Sequence, residues 1–306
     1  MVEVVSVPLE KAVLFVIDGM DTVNFTMGYA PVLGGIHGKT AVGIAHTEVL
    51  GAGAAITPIA HAMMGTGAVV VAHRPGEETV GRSFDYFGRT VETIGHVAKE
   101  AGMTIAAVGK NEAAIVLGGT DLLDISRLEK DGVNASDDKA VAGEILKIIE
   151  SMGRGILVAN YGQVDLSGHK RDVAGVIRAV QKADGIVSQI MARVDLSRTL
   201  VVIAADHGTN PITGDHNTAP TPLCLITDKI KGRVNMGVVH NLEIALTITS
   251  ALGLRPPQQA VGRELLSLAV ADHPDLNYLP QVLRQLDEIY RKESPRHQTG
   301  VGEVGA

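Results

Sequence analysis

The sequence contains no tryptophan, and aromatic residues make up only 3% of its 306 positions. Its core must therefore be filled by Val, Ile, Leu, Ala and Met. There is a single cysteine, Cys224, which excludes an intramolecular disulfide and fits a cytoplasmic setting. No stretch approaches the roughly 18 uninterrupted apolar residues of a membrane span, so no membrane partner is expected. The first residues, MVEVVSVPLEKAVLFVIDGM, lack the charged start and long apolar run of a signal peptide. No basic run stands out, and the formal net charge is −7, which argues against a nucleic-acid partner. An acidic chain can still take a phosphorylated substrate where metal ions supply positive charge locally.

Hydrophobic residues at 45% against charged residues at 20% are enough for a sizeable core. Short β-branched runs bounded by turn residues predict strands over 12–17, 67–73, 103–109, 155–160, 199–205 and 223–227. Between them, apolar residues at helical spacing predict helices over 89–102, 136–153, 172–194 and 241–253. Alternation of this kind implies an α/β fold, a mostly parallel sheet with helices on both faces. No repeat or Pro/Gly/Ser linker divides the body, so residues 1–290 are expected to form one domain and 291–306 a flexible tail.

In open parallel sheets, ligands gather beyond the carboxyl ends of the strands. Asp18 follows the first apolar run. Asp165 and His169 follow GILVAN, Asp206 and His207 follow TLVVIAA, and His216 comes shortly after. Each has a bland alternative: Asp18-Gly19 as a simple turn, Asp165-x-x-x-His169 as a solvated helix face or cap, Asp206-His207 as a structural hydrogen bond. Their joint placement favours chemistry, because acids and imidazoles are expensive to desolvate unless paired or metal-bound. Carboxylates with imidazoles suit zinc or manganese better than calcium.

A nucleophile is sought in ITPIAHAMMGTG, where Thr57 precedes Pro58. A hydroxyl needs activation, which a metal ion can supply. The alternative is Thr57 as a helix N-cap with Pro58 in the first turn; the two roles are compatible. GGIHGKT (34–40) looks like a phosphate-binding loop but is dismissed. That pattern needs glycine five positions before Gly38, where Leu33 stands.

Taken together, VIDG (16–19), AVGK (107–110), VDLSGHKRD (164–172) and ADHGTNPITGDHNTAPTPL (205–223) resemble the alkaline phosphatase superfamily, and most closely its phosphopentomutase and cofactor-independent phosphoglycerate mutase branch. The Thr57 segment is also similar to the superfamily's nucleotide pyrophosphatases. The resemblance implies two divalent ions, Mn or Zn. One would be held by Asp18, Asp206 and His207, with Thr57 joining as ligand and nucleophile, the other by Asp165, His169 and His216. Lys110 would assist catalysis, and Lys170 and Arg171 would steady the substrate or merely form a solvated basic face. The mutases of this superfamily insert a large cap domain after the nucleophile segment. Here only residues 68–109 lie between Gly67 and Lys110, which leaves no room for one. A mutase must keep its phosphorylated form from water. The expectation is therefore a phosphohydrolase acting on small phosphate esters through a phosphothreonine. The alternatives are a phosphomutase closed by a neighbouring subunit of a homo-oligomer, and a non-catalytic metal- or phosphate-binding protein.

Overall fold

The computed structural model describes residues 8–28, 30, 39–47, 56–73, 83–85, 90–124, 128 and 138–270. The chain divides into a compact unit of residues 1–274 and a second unit of 275–306. The second, which includes the tail expected over 291–306, lies outside the described residues.

The strands are β1 (Lys11–Ile17), β2 (Lys39–His46), β3 (Val70–His73), β4 (Ser83–Asp85), β5 (Thr104–Gly109), β6 (Gly155–Tyr161), β7 (Thr199–Ala204), β8 (Gly208–Thr209), β9 (His216–Asn217), β10 (Thr221–Ile226) and β11 (Gly232–His240). The helices are α1 (Thr22–Gly28), α2 (Thr57–Thr66), α3 (Ile94–Glu100), α4 (Ala113–Val116), α5 (Asp138–Ser151), α6 (Gln163–His169), α7 (Val173–Met191), α8 (Glu243–Ala251) and α9 (Leu265–Val270).

Seven strands form the main sheet, in the order β11-β2-β10-β7-β1-β6-β5. β5, β6, β1 and β7 run parallel, and β11 runs parallel to β2. Among the described residues of this sheet, only β10 is antiparallel to its neighbours, β7 and β2. The sheet is thus mostly parallel, as expected. The run predicted over 67–73 is a strand only from Val70 and stands outside this sheet, paired with β4. It is short and follows the Gly67 helix stop, whose left-handed backbone (φ 64°) needs glycine.

The central strands are apolar on both faces because helices cover both. On β1, Ala12, Leu14 and Val16 join a core with Ile244, Ala245 and Ile248 of α8. Val13, Phe15 and Ile17 face the opposite core, with Ile145 and Ile149 of α5 and Val176, Val180 and Val187 of α7. Alternation along one strand therefore feeds two cores. Each fully buried side chain of this size contributes roughly 1.5–3 kcal/mol over its exposed state.

Helix starts follow local hydrogen bonding. The Asp172 side chain accepts from the Gly175 backbone N–H, so α7 begins close to where the sequence placed it. Thr93 and His96 cap α3 reciprocally, which delays that helix to Ile94 rather than 89. Asn241, where the helix predicted over 241–253 opens, donates from Nδ2 to the Ala205 carbonyl at 2.8 Å, and Leu242 occupies the cap position of α8. Lys39 and Thr40 of the dismissed glycine-rich segment open strand β2, not a helix; residues 34–38 lie outside the described residues.

Candidate metal centre

The site forms where β6, β1 and β7, three adjacent strands, end on the same edge of the sheet. Backbone bonds stitch their loops together. The Asp165 N–H donates to Asp18 O at 3.0 Å, and the Thr209 N–H donates to Gly19 O at 3.0 Å. Gly19 has φ 77°, and a Cβ there would lie 2.7 Å from Asp165 Cα, so both the turn and the close approach require glycine. Its N–H donates to Asp206 Oδ1 at 3.2 Å.

One group of side chains gathers around His207 Nε2. Asp206 Oδ2 lies 3.3 Å from it and Asp18 Oδ1 3.4 Å. Thr57 Oγ1 lies 2.9 Å from it. Thr57 is the first helical residue of α2, after an Ile56 cap, and its hydroxyl makes no capping bond. The N-cap alternative is thereby corrected: the hydroxyl is turned to His207. α2 is seated by Ala60 and Met63, which pack on Ala114 and Ile115 of α4.

The second group converges on Asp165 Oδ1, with His169 Nε2 at 3.2 Å and His216 Nε2 at 3.5 Å; the two imidazole nitrogens are 3.2 Å apart. His169 Nδ1 faces the Gly214 carbonyl at 2.7 Å, which puts the proton on Nδ1 and leaves the Nε2 lone pair to the group. His169 and Asp165 stand one helical turn apart on α6, a helix that was not assigned from the sequence. The His207 and His216 rings stack with centroids 3.7 Å apart, so the groups are contiguous. His207 is also within ligand reach of Asp165 and His216. Its Nε2 contacts to Thr57, Asp18 and Asp206 assign it to the first group.

Asp18, Asp206 and His207 are fully buried, and Lys110 Nζ lies 2.8 Å from Asp18 Oδ2. Burial opposes the charged form of Asp18, but the Lys110 ammonium, joined by His207 and His61, more than offsets it and holds the carboxyl below its usual range. Asp206 is pushed well above that range by burial, with the charges of Asp18 and Asp165 adding to the effect. Burial lowers His207 and the neighbouring His61 to about 4, so both imidazoles are neutral at pH 7. Asp165 is lowered: burial works against its charge, but His216, His207 and Thr209 more than offset it.

Asp18 Oδ1 and Asp206 Oδ2 are buried and have no hydrogen-bond partner among the described residues. They are the two oxygens that face His207 Nε2. Unsatisfied carboxylate oxygens converging with imidazole lone pairs fit a divalent cation.

Three contributors escaped the sequence reading. Asn160, near the end of β6, donates from Nδ2 to Asp18 Oδ2 at 3.2 Å. His61, one turn after Thr57, places Nδ1 2.9 Å from Thr57 O and 3.6 Å from Asp206 Oδ2. Thr209 donates from Oγ1 to Asp165 Oδ1 at 2.5 Å. Asn160 carried one usable signal, a polar residue ending an otherwise apolar strand. Lys170 and Arg171 are exposed, and Arg171 Nε donates to Thr213 O at 2.9 Å.

The architecture is that of the alkaline phosphatases. The enzyme of Thermus thermophilus superposes with a TM-score of 0.64 at 14% identity, covering 87% of this chain and 95% of that one. The enzyme of the Antarctic bacterium TAB5 gives 0.62 at 12% identity, over 81% and 99%. The family profile described as "Metalloenzyme superfamily" matches residues 10–256, and the chain belongs to that superfamily. A phosphopentomutase of Symbiobacterium thermophilum is 34% identical over 172 residues, 54% of this chain and 40% of the relative. A 2,3-bisphosphoglycerate-independent phosphoglycerate mutase of Yersinia pestis is 30% identical over 131 residues, 39% and 25%. The chain thus spans two-fifths or less of the length of these relatives.

Proposed function

We propose that the protein is a phosphohydrolase acting on small phosphate esters, with Thr57 as nucleophile. The observation that carries this reading is the Thr57 hydroxyl, 2.9 Å from His207 Nε2 in a group whose two facing carboxylate oxygens are buried and unpartnered. Asp18, Asp206 and His207 would hold one divalent ion beside Thr57, and Asp165, His169 and His216 a second. Bound there, zinc or manganese would supply positive charge for the phosphoryl oxygens and activate a hydroxyl or water.

The chain's own groups do the rest. Thr57 Oγ attacks phosphorus in line with the ester oxygen. The Oγ–P bond forms as the P–O ester bond breaks; the ester oxygen keeps the electron pair and leaves as the alcohol with a proton from water, while the threonine proton passes to solvent. Thr57 stands at the start of α2, whose N-terminal partial positive charge favours the transferred phosphoryl group. Lys110 and Asn160 hold Asp18 Oδ2, so that Oδ1 stays turned to the group. Water then attacks the phosphothreonine, restoring the hydroxyl and releasing phosphate. The side chain of His169 is 45% exposed, so the second group opens to water, and this favours hydrolysis.

Transfer back to a substrate, the phosphomutase reading, is the alternative supported by the two mutase relatives. The test loads the full chain with Mn²⁺ or Zn²⁺ and follows inorganic phosphate and isomer formation over a panel of phosphomonoesters. Stoichiometric phosphate is expected from wild type, with loss of turnover in Thr57→Ala. Isomer without free phosphate would select the mutase reading, and full activity of Thr57→Ala would remove the covalent mechanism.

A further inference from the structure

We propose that Thr209 is a positioning residue that serves both groups of candidate ligands through one hydroxyl. The inference rests on the reading of both groups as metal sites. Thr209 lies on β8, two residues beyond His207, and is fully buried. Its Oγ1 donates to Asp165 Oδ1 at 2.5 Å and lies 3.5 Å from His207 Nδ1.

A threonine hydroxyl has one proton to give and two lone pairs with which to accept. The ionised Asp165 carboxylate can only accept, so the proton is committed there. The contact with His207 must then run the other way, from Nδ1–H to Oγ1. That places the His207 proton on Nδ1 and the lone pair on Nε2, the atom that faces Thr57, Asp18 and Asp206. The same hydroxyl holds Asp165 in the orientation that brings Oδ1 to His169 and His216. One side chain thereby orients a ligand in each group.

The main chain of Thr209 is held just as firmly. Its N–H donates to Gly19 O at 3.0 Å, its carbonyl accepts from Asn24 Nδ2 at 2.8 Å, and its strand partner is His216. Glycines leave the space it fills. A Cβ on Gly168 would lie 2.6 Å from Thr209 Cγ2, and one on Gly19 2.8 Å from Oγ1. A residue that only filled this space would need its shape, not its hydroxyl.

Valine keeps the shape and removes the hydroxyl; serine keeps the hydroxyl and removes the methyl. Calorimetric titration of the metal-free full chain with Mn²⁺ or Zn²⁺ separates the two roles. Thr209→Val is expected to weaken binding at both groups by roughly 10–100-fold, with Thr209→Ser within a few-fold of wild type. Unchanged affinity in Thr209→Val, or a loss confined to one group, would overturn the proposal. A wild-type chain that binds neither ion would overturn the metal reading itself, and this inference with it. Independently of any variant, ¹⁵N NMR of metal-free wild type should find His207 protonated on Nδ1. Protonation on Nε2 alone would be incompatible with the proposal.

Discussion

Lys110 Nζ sits 2.8 Å from Asp18 Oδ2, on the far side of the carboxylate from the oxygen that faces His207. The two oxygens of one carboxylate thus have separate tasks, one held by the protein and one left free. Lys110→Met should strip that outer oxygen of the ammonium's charge and leave it the Asn160 amide as donor. Removing one partner of a buried pair costs about 3–5 kcal/mol. The metal-free variant is therefore expected to melt well below wild type, and added metal ion to recover more of the loss than it adds to wild type. Equal melting temperatures without metal would show that the ammonium does not hold Asp18.

Asn160→Leu removes the second donor to the same oxygen while keeping the side chain's bulk. Hydrogen bonds to charged groups are worth roughly 1.5–3 kcal/mol. Turnover should drop by about 10–100-fold if the bond serves chemistry. A variant with wild-type kcat and only a lower melting temperature would assign Asn160 to stability alone.

Acid should weaken the metal-free fold through its buried histidines. His61 has a folded value of about 4 against an ordinary 6.5. Between those values the unfolded chain binds a proton that the folded chain refuses, so this contribution is complete above 6.5 and is lost as pH falls toward 4. Asp206 and Glu243, both raised, act in the opposite direction, so a variant is needed to isolate the effect. Urea unfolding of His61→Phe at pH 6.5 and pH 4 should show a pH-dependent loss smaller than that of wild type by about 3 kcal/mol. An identical loss in both proteins would contradict the neutral, buried state of His61.

α2 and α3 meet the α4 turn through glycines. A Cβ on Gly65 would stand 2.3 Å from Val116 O, and one on Gly95 1.8 Å from Leu117 O. Gly65→Ala and Gly95→Ala should each cost roughly 1–3 kcal/mol by overpacking. Gly65 shares its helix with Thr57, so only Gly65→Ala is expected to reduce kcat beyond its effect on stability. Equal kcat in the two variants would mean that α2 absorbs the strain without moving Thr57.

The central strands were legible because each is an apolar run covered on both faces. β2 and β11 were not. Both mix buried and exposed positions along KTAVGIAH and GRVNMGVVH, glycines interrupt them, and β11 carries a register shift between Asn235 and Gly237. The charged site residues could be read from their strand-end positions, since an acid or imidazole there stands out against an apolar run. His61 and Thr209 could not be read in the same way, and Asn160 offered only its polarity near the end of an apolar strand. Their roles come from which strands and turns are neighbours, as when β8 sets Thr209 beside Asp165, 44 positions away. Thr57 fell between these cases, because a threonine before proline reads equally well as a cap.

β1 lies between β6 and β7, and the acids follow the ends of these three strands. Neighbouring strands are held about 4.8 Å apart by their hydrogen bonds, whatever the loops do. The sheet therefore acts as a ruler for the chemistry. Lengthening or trimming the chain at the flanks, between Gly67 and Lys110 for instance, leaves the graduations untouched. An active centre measured out in this way can travel among proteins of very different size.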